Sequence, residues 1–175
     1  MSTIALIVAA SENNAIGYKN DLLWHLPADM KFFKNTTWGL PVIMGRKSYD
    51  GIGHALQGRA NYVVSAQAGF TLPDATVCNT LPQALALAET QMQANELMVI
   101  GGGQIYALAL PLAHRIYLTR VHANFELADA FFPALDPLQW QLVKSNPFLA
   151  DQKHAYNYTF ELWERRANAD GNTTA

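Results

Sequence analysis

The chain has 175 residues, enough for one domain with a substantial core; half of them are hydrophobic and only 15% are charged. A formal net charge of -2 leaves no basic footprint for nucleic acid and no polybasic patch for a membrane surface. Cys78 is the single cysteine, which excludes an intrachain disulfide, and no Cys/His cluster has metal-ligand spacing.

Residues 4–9 are continuously apolar, as expected of a central strand covered on both faces. This run has no basic residue before it and is too short to span a bilayer, so the protein reads as cytoplasmic. Residues 11–23 form a polar loop, of the length at which loops without secondary structure tend to be functional. Pro27 suits the first position of a helix that runs to about Thr37, and Gly39 ends it. A short strand over 41–45 and a short helix over 46–50 follow. Residues 62–65 make the next strand, with β-branched residues at 63 and 64, and 76–78 a minimal one. Residues 81–93 form an amphipathic helix with Leu81, Ala84, Leu85 and Ala88 on one face.

Residues 97–100 are again fully apolar; three glycines break this strand, and a helix over 104–110 runs up to Pro111. Residues 116–121 form a strand, and 139–143 and 156–163 a closing antiparallel pair. Strands alternating with helices predict an α/β fold. It is a single domain with a mainly parallel central sheet of about eight strands, an antiparallel C-terminal strand and about four flanking helices. The domain is expected over 1–166, with a small-residue polar tail over 167–175 that should fray.

The stretch 24–33, Trp-His-Leu-Pro-Ala-Asp-Met-Lys-Phe-Phe, organises the rest. Asp29 falls in the first turn of its helix and shares a face with Phe33 and Thr36. A carboxylate there either complements the helix dipole or sits buried to hold an amidine-like group of a ligand. Arg59, after Gly58, is either a surface arginine or a bidentate fork for a carboxylate. The run Gly101-Gly102-Gly103-Gln104-Ile105-Tyr106 follows a strand and opens a helix, where bare backbone could approach a phosphate. It is not the dinucleotide fingerprint, because Tyr106 stands at the third glycine, and no Walker lysine is present.

Further short motifs fall in order along the chain: Ile16-Gly17, Trp24-x-Leu26-Pro27-x-Asp29, Phe33 and the run Pro-Val-Ile-Met-Gly-Arg over 41–46. Ile52-Gly53, Gly58-Arg59, Ile100 with its three glycines and Tyr106, Tyr117-Leu118-Thr119, Phe132-Pro133 and the ending over 160–165 continue the series. Together they resemble the dihydrofolate reductases of bacteria across residues 3–166.

The resemblance implies NADPH-dependent reduction of 7,8-dihydrofolate to tetrahydrofolate, by hydride transfer to C6 and protonation of N5. It gives the catalytic part to Asp29 with Thr119 hydrogen-bonded to it, and to Leu22 and Trp24 of the preceding loop. Ile7, Ala9, Met30, Phe33, Ile52 and Ile100 match positions that line the pterin and its aromatic tail, and Arg59 matches the clamp on the glutamate. For the cofactor it implies Ala9, Ile16, Gly45, Arg46, Lys47, Ser48, Val64 and Ser65. Gly101, Gly102, Gly103, Gln104, Ile105 and Tyr106 complete that set, with a cis peptide expected at Gly101-Gly102. Asp129 would hydrogen-bond the mobile loop. Ala66 and Gln104 depart from side chains that often assist the 2'-phosphate. The expected ligands are dihydrofolate and antifolate inhibitors, with no metal, nucleic acid or membrane, acting on a monomer. Two other functions compete with this one: a same-fold pyrimidine reductase of riboflavin synthesis, and a non-catalytic NADP- or pterin-binding module. The 24–33 stretch speaks against the first, and Asp29 with Thr119 against the second.

Overall fold

The computed structural model describes residues 1–167, so the tail expected to fray lies outside the described residues from 168 onward. The organising strand is β1 (Thr3–Ser11), which pairs in parallel with β6 (Glu96–Gly101) on one side and β7 (Arg115–Val121) on the other. Its side chains alternate between two cores. Leu6 and Val8 join one and Ala5 and Ile7 the other, which is why the run had to be apolar throughout.

Outward from β6 lie β3 (Val42–Gly45), β4 (Asn61–Val64) and β5 (Thr76–Cys78), all parallel. On the far side, β10 (Tyr158–Arg165) runs antiparallel to β7, and β9 (Trp140–Phe148) closes the edge. The eight-stranded order is therefore β5-β4-β3-β6-β1-β7-β10-β9. Helices α3 (Leu81–Met92) and α4 (Gly103–Ala109) cover one face, α4 passing into a 3-10 turn at Leu110–Leu112 that contains Pro111. Helices α1 (Pro27–Thr37) and α2 (Arg46–Ile52) cover the other, with Phe32, Phe33 and Tyr49 packed against it.

Helix α3 buries the predicted face of Leu81, Ala84, Leu85 and Ala88. Thr80 caps it by accepting the Gln83 amide at 3.2 Å. Each fully buried Leu, Ile or Val of these layers contributes about 1.5–3 kcal/mol relative to exposure.

Three local expectations are corrected. The 11–23 segment is not wholly irregular: β1 extends to Ser11, and β2 (Ala15–Gly17) pairs with β8 (Ala130–Phe131) in a separate ribbon. Pairings this short carry no periodicity to read. Strand β9 does not stop at residue 143 but continues through Pro147. A proline breaks a central ladder, but an edge strand can leave that amide position unpaired. Finally, β10 begins at Tyr158 and ends at Arg165, two residues later at each end than the predicted 156–163.

Candidate active site

A cleft of about 560 Å³ opens at the carboxyl ends of β1 and β6, where ligands of open α/β sheets generally bind. Ile7, Val8 and Ala9 of β1 and Ile100 of β6 form its floor. Helix α1 supplies Asp29, Met30 and Phe33, and the preceding loop Leu22 and Trp24. Across the cleft stand Ser48, Gly51 and Ile52 of α2, while Gly101, Gly102, Gly103 and Tyr106 form its inner end. Ile16 closes over it from β2.

Asp29 is placed by the first turn of α1, which Pro27 starts without forfeiting a hydrogen bond. Thr119 on β7 is 1% exposed and donates its hydroxyl to the Asp29 carboxylate at 2.6 Å. The two are 90 residues apart, joined because Thr119 pairs with Ala9 in the β1–β7 register. Burial raises the Asp29 carboxyl above the ordinary aspartate range, and the Thr119 hydrogen bond partly opposes this. Asp21 and Asp129 also line the cleft, but both are exposed at its loop rim.

Tyr106 holds the floor together. Its hydroxyl lies 2.7 Å from the carbonyl oxygens of both Ile7 and Ile100, so one O–H is shared between β1 and β6. Complete burial pushes this phenol far up, the Asp29 charge adding to the effect, so it acts only as a neutral donor. The glycine turn beside it is as bare as expected, and the Gly101–Gly102 peptide is cis. A Cβ at Gly102 would meet Ser48 Oγ at 3.2 Å, and one at Gly103 the Phe131 carbonyl at 3.1 Å.

A second group of predicted residues stands outside this cleft lining, at the carboxyl ends of β3 and β4. Arg46 opens α2 after Gly45, stacks on Phe70 at 4.1 Å, bonds Gln67, and pairs with Asp50 at 3.8 Å. Ser65 accepts the Gln67 amide at 3.3 Å, next to Val64, and Lys47 is exposed. Gln104 is exposed on α4, whereas Ile105 is buried against Gly45, where a Cβ would meet it at 3.0 Å. Arg59 also lies beyond the lining: it donates to Thr37 Oγ1 at 3.1 Å and to the Gln57 carbonyl at 2.9 Å, 5.2 Å above the Trp38 ring. Among the described residues no carboxylate is paired with it.

The loop is held at the rim of the cleft. Asp129 accepts the Lys19 amide at 3.0 Å, and its own amide donates to the Gly17 carbonyl at 3.0 Å. Sequence reasoning missed the lining residues Val8, Asn20, Asp21, Gly51, Leu56 and Ala130. Asn20 adopts a positive φ of 60°, a conformation asparagine tolerates, and its carbonyl lies 3.1 Å from a Cβ built at Gly51. Among the described residues no group of His, Cys, Asp and Glu could hold a metal ion, and no helix is long and apolar enough to cross a membrane.

The chain is similar in sequence and fold to known proteins. A family model described as dihydrofolate reductase matches residues 3–165. Dihydrofolate reductase type 3 of Salmonella typhimurium is 42% identical over 163 residues, covering 93% of this chain and 98% of that protein. Dihydrofolate reductase of Bacillus subtilis (strain 168) is 39% identical over 163 residues, covering 93% and 95%. The solved dihydrofolate reductase of Enterococcus faecalis, complexed with NADP(H) and RAB-propyl, superposes with a TM-score of 0.87 at 30% identity, covering 94% and 97%.

Proposed function

The chain belongs to the dihydrofolate reductase family, and from that premise we propose that its cleft reduces 7,8-dihydrofolate to 5,6,7,8-tetrahydrofolate with NADPH. The observation that carries the reading is the Asp29–Thr119 pair, a carboxylate with one hydrogen-bond donor on the inner wall of a cleft whose other carboxylates, Asp21 and Asp129, are exposed at its rim. Such a group binds the amino and ring-nitrogen edge of a pterin through charge-assisted hydrogen bonds. Its raised pKa keeps the proton within reach of the site, which suits a reaction that consumes one.

When bound, NADPH would supply the hydride for C6, with N5 gaining a proton. The residues present fit that group: the Gly101–Gly103 backbone is open where a side chain would intrude, and it leads into the start of α4. Ser48, Ala9, Ile16, Gln104, Ile105 and Tyr106 would border its nicotinamide and pyrophosphate. Gly45, Arg46, Lys47, Val64 and Ser65 would take the 2'-phosphate end. Leu22 and Trp24 shield the reacting bond from water, and Ile7, Met30, Phe33, Ile52 and Ile100 hold the pterin and its aromatic tail. Arg59 would clamp the glutamate, since its guanidinium is already oriented by two hydrogen bonds and unpaired with any carboxylate among the described residues. Antifolate inhibitors would occupy the same cleft. The functional domain is 1–166, acting as a monomer without nucleic acid.

The test is loss of NADPH absorbance on mixing with dihydrofolate. Asp29→Asn keeps the shape and removes the charge, and should lower turnover by about 10²–10⁴, the usual worth of proton-transfer help. Equal hydride-transfer rates for the two proteins across pH would overturn the assignment.

A further inference from the structure

Helix α1 carries Asp29, yet the helix is not capped by its own N-cap residue. Leu26 stands there and makes no side-chain hydrogen bond. Pro27 has no amide hydrogen, and the Asp29 amide turns back to the Leu26 carbonyl at 3.0 Å. That leaves the Ala28 amide, one residue before Asp29. It donates to Nε2 of His154, 126 residues away, at 3.1 Å.

The partners fix the state of this imidazole. A backbone amide only donates, so Nε2 must present its lone pair. The Asp151 carboxylate lies 2.8 Å from Nδ1, which therefore carries the hydrogen. His154 is thus a neutral imidazole, 7% exposed, with its ring 5.1 Å from that of Tyr158 on β10. Asp151 is locked in turn, accepting the Lys153 amide at 2.8 Å and the His154 amide at 2.9 Å.

We infer that His154 is a positioning residue for the reaction: its neutral ring caps α1 and holds Asp29 in place, and its protonation releases that cap. The inference rests on the proposed role of Asp29. A protonated ring would aim Nε2–H at the Ala28 N–H, donor against donor, and would put a cation at the positive end of the helix dipole. The titratable groups facing the ring are Asp151 in its own turn and Tyr158 on β10, with Asp29 one residue beyond the bonded Ala28 amide. Lys153 and His25, its charged or titratable neighbours in the two loops, are both exposed.

The consequence is a conflict on the acid side. A proton-consuming step should quicken as pH falls, while loss of the cap disorders the carboxylate that serves it. His154→Gln separates the two, because its amide oxygen can take the place of Nε2 and accept from Ala28 but does not titrate. On the acid side, single-turnover hydride transfer in the wild type should bend over and fall to about one fifth of the H154Q rate, the scale of one lost helix cap. Above the imidazole range the two should coincide. In the wild type alone, the Ala28 amide resonance should move with the His154 ring as it titrates.

Parallel pH profiles for wild type and H154Q would overturn the inference. So would an Ala28 amide that ignores the ring titration in the wild type, a measurement that needs no variant to fold. Failure of the Asp29 role is distinguishable: D29N would then retain wild-type hydride transfer while the Ala28 amide still tracked His154.

Discussion

Thr119→Val removes one hydroxyl and keeps the shape of a side chain that is 1% exposed. The lost hydrogen bond is the 2.6 Å contact to Asp29, the one interaction that opposes its desolvation. A hydrogen bond to a charged partner is worth about 1.5–3 kcal/mol. At about 1.4 kcal/mol per decade, the balance of Asp29 moves toward its protonated form by about tenfold or more. The sign follows from burial: the folded-state pKa of Asp29 is already raised, and the valine raises it further. The ionised carboxylate therefore costs stability, a cost absent at acid pH that grows as pH rises through the raised pKa. T119V should lose stability at neutral pH and recover it in acid, and its hydride-transfer rate should hold to higher pH before declining. Single-turnover rates and urea denaturation across pH read both effects, with Thr119→Ser, which keeps the hydroxyl, as the control. A T119V rate profile superimposable on the wild type would refute the reasoning.

The same linkage makes Asp29→Asn more stable than the wild type at neutral pH, because a desolvated charge is removed; urea midpoints measured at neutral and acid pH should converge as the carboxyl protonates. Arg46→Ala should raise KM for NADPH far more than for NADH, and the NADPH preference should weaken with salt, since Arg46 is partly exposed and its ion pair with Asp50 is a weak competitor. Equal loss for both cofactors would show that Arg46 does not read the phosphate. Asp129→Ala removes the acceptor for the Lys19 amide and should loosen the loop over the cleft. Slower hydride transfer with little change in melting temperature is the expected result, and an unchanged rate would place the loop's anchorage elsewhere.

Much of this molecule could be read locally. The apolar run of β1 and the buried face of α3 follow from periodicity, which a short window of sequence contains. The glycine turn ahead of α4 was legible for a similar reason, because bare backbone announces a close approach wherever it stands. Roles within the cleft came from resemblance, since a lone Ile7 or Phe33 looks like any core residue. What only the tertiary structure decided are the long-range meetings. The register of β7 on β1 brings Thr119 to Asp29, and the turn before β10 brings His154 under α1. The ribbon of β2 and β8, and the passage of β9 through Pro147, likewise depend on which strand lies alongside. Hydrogen bonding and desolvation act through space between groups that the chain separates by up to 126 residues, so no local pattern of residue types encodes them.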